Sequence, residues 1–475
     1  MKKMFTKVLG TALLAGLLMT GFTAKAQTTL ASAESMNKKD ATTEIAPVTT
    51  VKTEAKKDDP IDTSWHPQRR VWGYTFGDFS YVGHAPLVTS SLGKENNYAN
   101  VPTGRNTFQF RRIYLGYDYE ITKKFKAEFL LASEPTENTG LVTGTSVVNG
   151  DVTADNKMSF YIKNINLRAR DVWNGTDFVI GEMSTPGFAL NEPGTNGPVS
   201  LSESTWGYRS IERTITDFHK NNSFDVGAAL QGTFDPKTKN YGYVLMVGNN
   251  TQASVVNIYN GGGTSSLSPS NPNPSGFFKI FYGDLWGKFL DKKLYIDIYA
   301  DNAQTSSTIA NAAVASGSVG PLEHSMYKAF VAYTVPKFTF GVEAYTQKLD
   351  NAVIDNTTKT ANSATVNAIS LFAKGVMAKD WNWFARFDSY NPDTKFDGSH
   401  SYTAVSNGAY SSFDPTVKEQ FYTFGLDYNP TKNVHFMPNV WLTRYSSEYD
   451  KTVTTYVPDN HTLVYRMTFF FTFGK

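Results

Sequence analysis

Leu463-Val464-Tyr465-Arg466-Met467-Thr468-Phe469-Phe470-Phe471-Thr472-Phe473 runs to within two residues of the C-terminus, and its alternation decides the fold. Leu463, Tyr465, Met467, Phe469, Phe471 and Phe473 share one parity and are all apolar. Val464, Arg466, Thr468, Phe470 and Thr472 share the other and are mixed. Successive side chains of an extended strand point to opposite faces, so this segment has one fully apolar side and one part-polar side. A wall between hydrocarbon and water requires that division. The expected lipid-facing residues are therefore Tyr465, Met467, Phe469, Phe471 and Phe473. Thr468, on the watery side, should accept an arginine that Phe469 would not.

The same pattern recurs upstream. Tyr422, Phe424, Leu426 and Tyr428 oppose Thr423, Gly425 and Asp427. Trp381, Trp383, Ala385 and Phe387 oppose Asn382, Arg386 and Asp388. Leu294, Ile296 and Ile298 oppose Tyr295, Asp297 and Tyr299, and Phe338, Phe340 and Val342 oppose Thr339, Gly341 and Glu343. Ile113, Leu115, Tyr117 and Tyr119 oppose Arg112, Gly116 and Asp118. Charges recurring on the inner side would be costly in a packed interior, whereas a wide barrel keeps them hydrated. Tyr428, Trp381 and Trp286, beside short turns, suit an interfacial aromatic belt.

Connections between these segments alternate short and long. The short ones carry turn chemistry: Thr122-Lys123-Lys124, Trp173-Asn174-Gly175, Asp235-Pro236-Lys237, Asp291-Lys292-Lys293, Pro336-Lys337, Ala378-Lys379-Asp380 and Asn429-Pro430-Thr431. The long ones, rich in Ser, Thr, Asn and Gly, fall at 83–105, 135–157, 186–221, 252–275, 304–323, 350–363, 392–417 and 447–460. The expected fold is thus all-β: one transmembrane antiparallel barrel of about sixteen strands, with short periplasmic turns and long outer loops.

The N-terminus sets the compartment. Lys2, Lys3 and Lys7 precede an apolar run from Val8 to Met19, and Ala24-Lys25-Ala26 is a small-x-small cleavage signal. Residues 1–26 read as a signal peptide, 27–62 as a disordered polar periplasmic lead, and 63–475 as the barrel. The apolar run is too short to span a bilayer as a helix. The lead lacks the large apolar residues needed to offset ordering entropy. It also supplies no folded plug, which argues against an energised transporter. The 475-residue chain has no cysteine and a net charge of +2, which removes thiolate metal sites, cysteine nucleophiles and any general field for nucleic acid. The terminal aromatic segment is similar to the signal by which the barrel-assembly machinery recognises its clients, although Gly474-Lys475 follows it.

Catalytic and metal signals are sparse. The seven histidines form no spaced ligand pair. Asp393, Asp397 and Gly398 partly match a calcium loop, but Lys395 occupies a ligand position. Gly261-Gly262-Gly263 lacks the following Lys-Ser/Thr of a phosphate loop. No cofactor, metal or enzymatic activity is expected.

Phe108-Gln109-Phe110-Arg111-Arg112-Ile113-Tyr114-Leu115-Gly116-Tyr117 resembles the second-strand pattern of the phosphate-selective porin O/P family, and Trp206-Gly207-Tyr208-Arg209-Ser210-Ile211-Glu212-Arg213-Thr214 resembles a segment of Bacteroidetes porin-like proteins of that kind. The resemblance covers residues 65 to 475. It implies an outer-membrane porin passing small ions and hydrophilic solutes, embedded among outer-membrane lipid and lipopolysaccharide, and a homotrimer. No lysines or arginines match a phosphate ladder one by one, so phosphate selectivity is not carried over. The resemblance also implies that the third outer connection, 186–221, folds into the lumen. Arg209, Glu212, Arg213, Asp217 and Lys220 are its candidate constriction residues, with Arg112, Lys126, Arg168, Arg170 and Arg386 on the wall. The cations among them predict a mild anion preference. The competing expectations are a non-conducting barrel acting as an adhesin or structural surface protein, and an outer-membrane hydrolase.

Overall fold

A computed structural model describes residues 66–85, 98, 101–133, 160–188, 214–219, 224–248, 277–305, 309–310, 312–320, 323–396, 402–405, 415, 417–445, 448–450, 455–457 and 460–474. The chain divides into Met1–Thr63 and Ser64–Lys475, and the described residues belong to the second unit. The signal peptide and the polar lead lie outside the described residues.

Sixteen long strands carry the fold: β1 (Arg69–His84), β2 (Asn106–Glu120), β3 (Phe125–Ser133), β4 (Tyr161–Trp173), β5 (Thr176–Ser184), β6 (Phe224–Thr233), β7 (Tyr241–Gly248), β8 (Phe277–Phe289), β9 (Leu294–Thr305), β10 (Glu323–Val335), β11 (Phe338–Asp355), β12 (Thr360–Ala378), β13 (Trp381–Asn391), β14 (Glu419–Thr431), β15 (Val434–Tyr445) and β16 (Asn460–Phe473). Each pairs antiparallel with its neighbours in sequence, and β16 pairs antiparallel with β1 from Phe473 opposite Gly73 to Leu463 opposite His84. The sheet is therefore a closed barrel, which leaves no edge with unpaired backbone groups in the membrane. A short strand, Tyr402–Ala404, adds to the outer end of β11. No described helix is long and apolar enough to cross a membrane.

Along β16, Tyr465, Met467, Phe471 and Phe473 are exposed on the outer surface. Phe469 is half-buried because its ring lies edge-on to Phe110 and over Gly77, where a Cβ would meet it. Thr468 differs from expectation. It is fully buried and donates to Asp78 Oδ1 at 2.6 Å, so an arginine there has no water to enter.

Two connections depart from the sequence reading. The segment 350–363 is mostly strand, because β11 and β12 run past the rim as a long hairpin. Asp355 Oδ1 accepts the amides of Thr357 and Thr358 at 2.7 and 3.1 Å, closing a turn that a Thr-rich segment does not announce. The last short turn lies at Lys432-Asn433, two residues beyond Pro430, after a register shift in β14. The β6–β7 turn is held by Asp235, which accepts the amides of Asn240 and Tyr241 at 2.9 Å each. Desolvation is the largest single effect and raises the Asp235 carboxyl, but the Thr238 hydroxyl and these backbone amides together hold it below its ordinary range.

Trp286 also differs. It does not join the outer belt but turns inward, with its ring over Gly242, where a Cβ would lie 2.3 Å from Trp286 Cζ2. Trp381 and Tyr428 do face outward and pack together at 4.9 Å. The inner face is more aromatic than expected. Phe330, Phe372, Phe384, Phe421 and Trp441 form one buried cluster across β10 to β15, and Trp72, Tyr74, Phe76 and Tyr114 form another on β1 and β2.

Candidate functional site: the inner wall and the third connection

The inner wall sorts its charges by sector. On β1 to β4 a zigzag of opposite charges crosses the strands at the periplasmic end. Arg70 pairs with Asp118, and Lys126 bridges Asp118 at 3.3 Å and Glu128 at 2.9 Å. Arg168 reaches Glu128 at 3.4 Å and Asp177 at 3.2 Å, and donates to Gln231 at 2.9 Å. Arg170 meets Glu120 at 2.6 Å. Side chains two apart on one strand share a face, and direct cross-strand neighbours lie close, so alternating signs along this diagonal neutralise each other.

Arg112 shares the inner face with Arg111 because an extra residue in β2 shifts the register between Phe76 and Gly77. A comparable irregularity in the β3–β4 pairing turns both Lys163 and Asn164 inward. Arg111 reaches the carboxylate of Asp78 at 3.2 Å, and Arg466 reaches it from β16 at 2.5 Å. The Arg466 guanidinium lies 3.9 Å from the Trp441 ring centre, within cation–π range. Arg386 is held by Asp388, two residues along its own strand.

The adjoining sector is acidic. Glu182, Asp225, Asp284, Asp297 and Asp301 face inward from β5 to β9 and are all buried. Tyr282 donates to Asp225 at 3.0 Å, and His324 Nε2 lies 2.8 Å from Asp301. Asp284 shares its strand parity with Tyr282, and Asp297 and Asp301 share theirs with Tyr299, so the inward facing of these three was readable from alternation.

Both described ends of the third long connection rest on strands far from β5 and β6, where it begins and ends. The turn Pro186–Phe188 packs by Tyr299, and Lys328 of β10 donates to the Gly187 carbonyl at 3.2 Å. In the helical turn Ile215–His219, Thr216 donates to Glu343 of β11 at 2.5 Å. The His219 ring stacks on Tyr390 of β13 at 3.5 Å with planes 4° apart. β13 stands eight strands from β5 in the ring of sixteen. Asp217 lies on this turn. Arg209, Glu212, Arg213 and Lys220 lie outside the described residues. Tyr98, in the first long connection, packs edge-on against Trp441 at 6.0 Å and accepts from Gln109 at 3.2 Å.

Asp393, the residue of the partial calcium match, instead caps backbone. It accepts the amides of Thr365 and Lys395 at 3.1 and 3.0 Å.

No protein-family profile matches the chain, and no curated protein is similar to it in sequence. Solved structures are similar in fold. The outer-membrane channel DcaP of Acinetobacter baumannii superposes with a TM-score of 0.50 at 11% identity, covering 86% of this chain and 97% of that one. The anion-selective porin of Comamonas acidovorans gives 0.49 at 10% identity over 86% and 100%. OmpT of Vibrio cholerae gives 0.48 at 9% identity over 86% and 98%. The fold is that of general outer-membrane porins, and this chain is a β-barrel of the outer membrane.

Proposed function

We propose that the barrel is a passive diffusion channel for small hydrophilic solutes, narrowed by the 186–221 connection. One observation carries this reading: Thr216 and His219 engage Glu343 and Tyr390 on inner faces across the ring from the strands that anchor the connection. A segment held at both flanks against the inner wall restricts the bore between them. Deleting about Leu190 to Ser204 should leave these anchors in place and raise single-channel conductance severalfold in planar bilayers. Unchanged conductance in a folded deletion variant would put the connection outside the current path.

The preference is mildly for anions and rests on Arg209, Arg213 and Lys220. The wall cations Lys126, Arg168 and Arg170 are engaged by carboxylates and add little net field. Under a tenfold KCl gradient the reversal potential should report anion preference and move toward cations when Arg209 and Arg213 are changed to Glu. The shift should fade at high salt, where screening shortens to about 3 Å at 1 M. Resemblance of residues 108–117 and 206–214 to the phosphate-selective porin O/P family agrees with a channel and adds no solute.

A second reading has its own support. The inner aromatic cluster around Phe384, Phe421 and Trp441 is buried, which suits a barrel with a sealed lumen serving as a surface structural protein. A silent bilayer recording from folded protein would favour it.

A further inference from the structure

The outer, membrane-facing surface of β11 to β15 carries a hollow of about 460 Å³. Ala373 and Ala385 are directly paired at its floor, where two methyl groups stand among large side chains. Phe340, Tyr422, Phe424 and Leu442 form its walls. Trp381 and Tyr428 lie below it at the periplasmic interface, so the hollow sits within the apolar band and faces hydrocarbon.

The outward row changes character immediately above. Tyr422 is paired with Leu442, and the next outward pair is Gln420 with Arg444. Tyr422 donates to Gln420 at 3.0 Å, which marks the level where the surface turns polar. Two residues of strand place Arg444 about 7 Å above Leu442. Arg444 is exposed and is paired in register with His461, whose ring stacks at 3.9 Å on His84 of β1. Lys418, exposed just before β14, extends the row on the other side. Basic or titratable side chains thus stand at the outer rim on four adjacent strands, at the end of an apolar groove.

We propose that this surface binds a phosphorylated lipid of the outer leaflet, with one acyl chain in the Ala373–Ala385 hollow and a headgroup phosphate against Arg444 and Lys418. The pairing of features selects the occupant. A second copy of the chain would fill the hollow without needing cations at its mouth. Free phosphate would use the cations without the hollow. Cationic side chains near a membrane surface each add attraction to anionic headgroups that is worth about fivefold in binding.

Two independent alterations test this on the full chain in detergent, with heat-modified gel mobility as the check of folding. Arg444→Gln with Lys418→Gln removes charge at the rim. Ala385→Phe fills the hollow and leaves the charge. Purified lipid A, its dephosphorylated form and inorganic phosphate are the probes, and retained lipid is counted by native mass spectrometry. Wild type should retain lipid A, and each variant should lose at least about tenfold in retention. Dephosphorylated lipid A should be retained as poorly by wild type as lipid A is by the charge variant, and millimolar inorganic phosphate should not displace lipid A. Equal retention by wild type and either folded variant would overturn the proposal. Displacement by inorganic phosphate would overturn it in favour of a free-anion site. Retention that falls only because Ala385→Phe shifts the subunit number would assign the hollow to a second copy.

Discussion

Replacing Asp78 with leucine should lower the stability of the folded barrel by about 3–5 kcal/mol. Asp78 is fully buried and receives Arg111 from β2, Arg466 from β16 and the Thr468 hydroxyl. Both guanidiniums are themselves buried, so removing the carboxylate strands two cations with reduced access to water. The cost comes from that stranded charge more than from the lost attraction. Asp78→Leu combined with Arg466→Met should therefore recover part of the loss. Guanidinium unfolding in lipid vesicles gives both values, with Trp441 beside Arg466 as a fluorescent reporter. A loss below about 1 kcal/mol for the single variant would mean that water reaches these charges and that the wall is wet at this level.

An arginine at Met467 should cost about 2–4 kcal/mol, and the same change at Phe473 about 0–1 kcal/mol. Both residues face outward and are exposed on the apolar surface. Met467 stands midway along β16, and Phe473 ends it beside the short-turn rim. Depth alone separates them, because a guanidinium near the rim can reach the headgroups. The two unfolding free energies, measured in the same vesicles, should differ by about 1–4 kcal/mol. Equal costs would mean that packing of the side chains, and not immersion in hydrocarbon, sets the penalty at this face.

Much of the fold was legible because a barrel strand writes its two environments into alternate residues. The facing of Tyr465 against Arg466, or Phe424 against Thr423, needed no structure. Short turns such as Ala378-Lys379-Asp380 were equally readable, since their residues suit tight reversals. Trp286 and Phe384 were harder. An aromatic side chain belongs to a lipid face or to a packed inner cluster, and residue type does not distinguish them. Parity does: Phe384 falls with Asn382, Arg386 and Asp388 on the inner side. The neutralised diagonal from Arg70 to Asp177 depends on register between strands, and the irregularities around Arg111 and Lys163 are set by pairing that a single strand does not record. The candidate constriction was legible as a long charged connection. Its anchoring partners, Glu343 and Tyr390, are more than 100 residues away in sequence, and nothing local marks them.

The seam between β1 and β16 joins the first and last strands of the barrel, and its inner bond from Thr468 to Asp78 spans 390 residues. No shorter segment can complete it. Until the fourteen residues of β16 arrive, β1 carries an open row of amides and carbonyls, and Asp78 lacks Arg466 and the Thr468 hydroxyl. An exposed edge of this kind invites pairing with a foreign strand. The seam therefore acts as a completeness check on synthesis: a chain truncated before residue 460 retains nearly every local hairpin yet stays an open ribbon, recognisable to the cell's proteases by the edge it cannot hide.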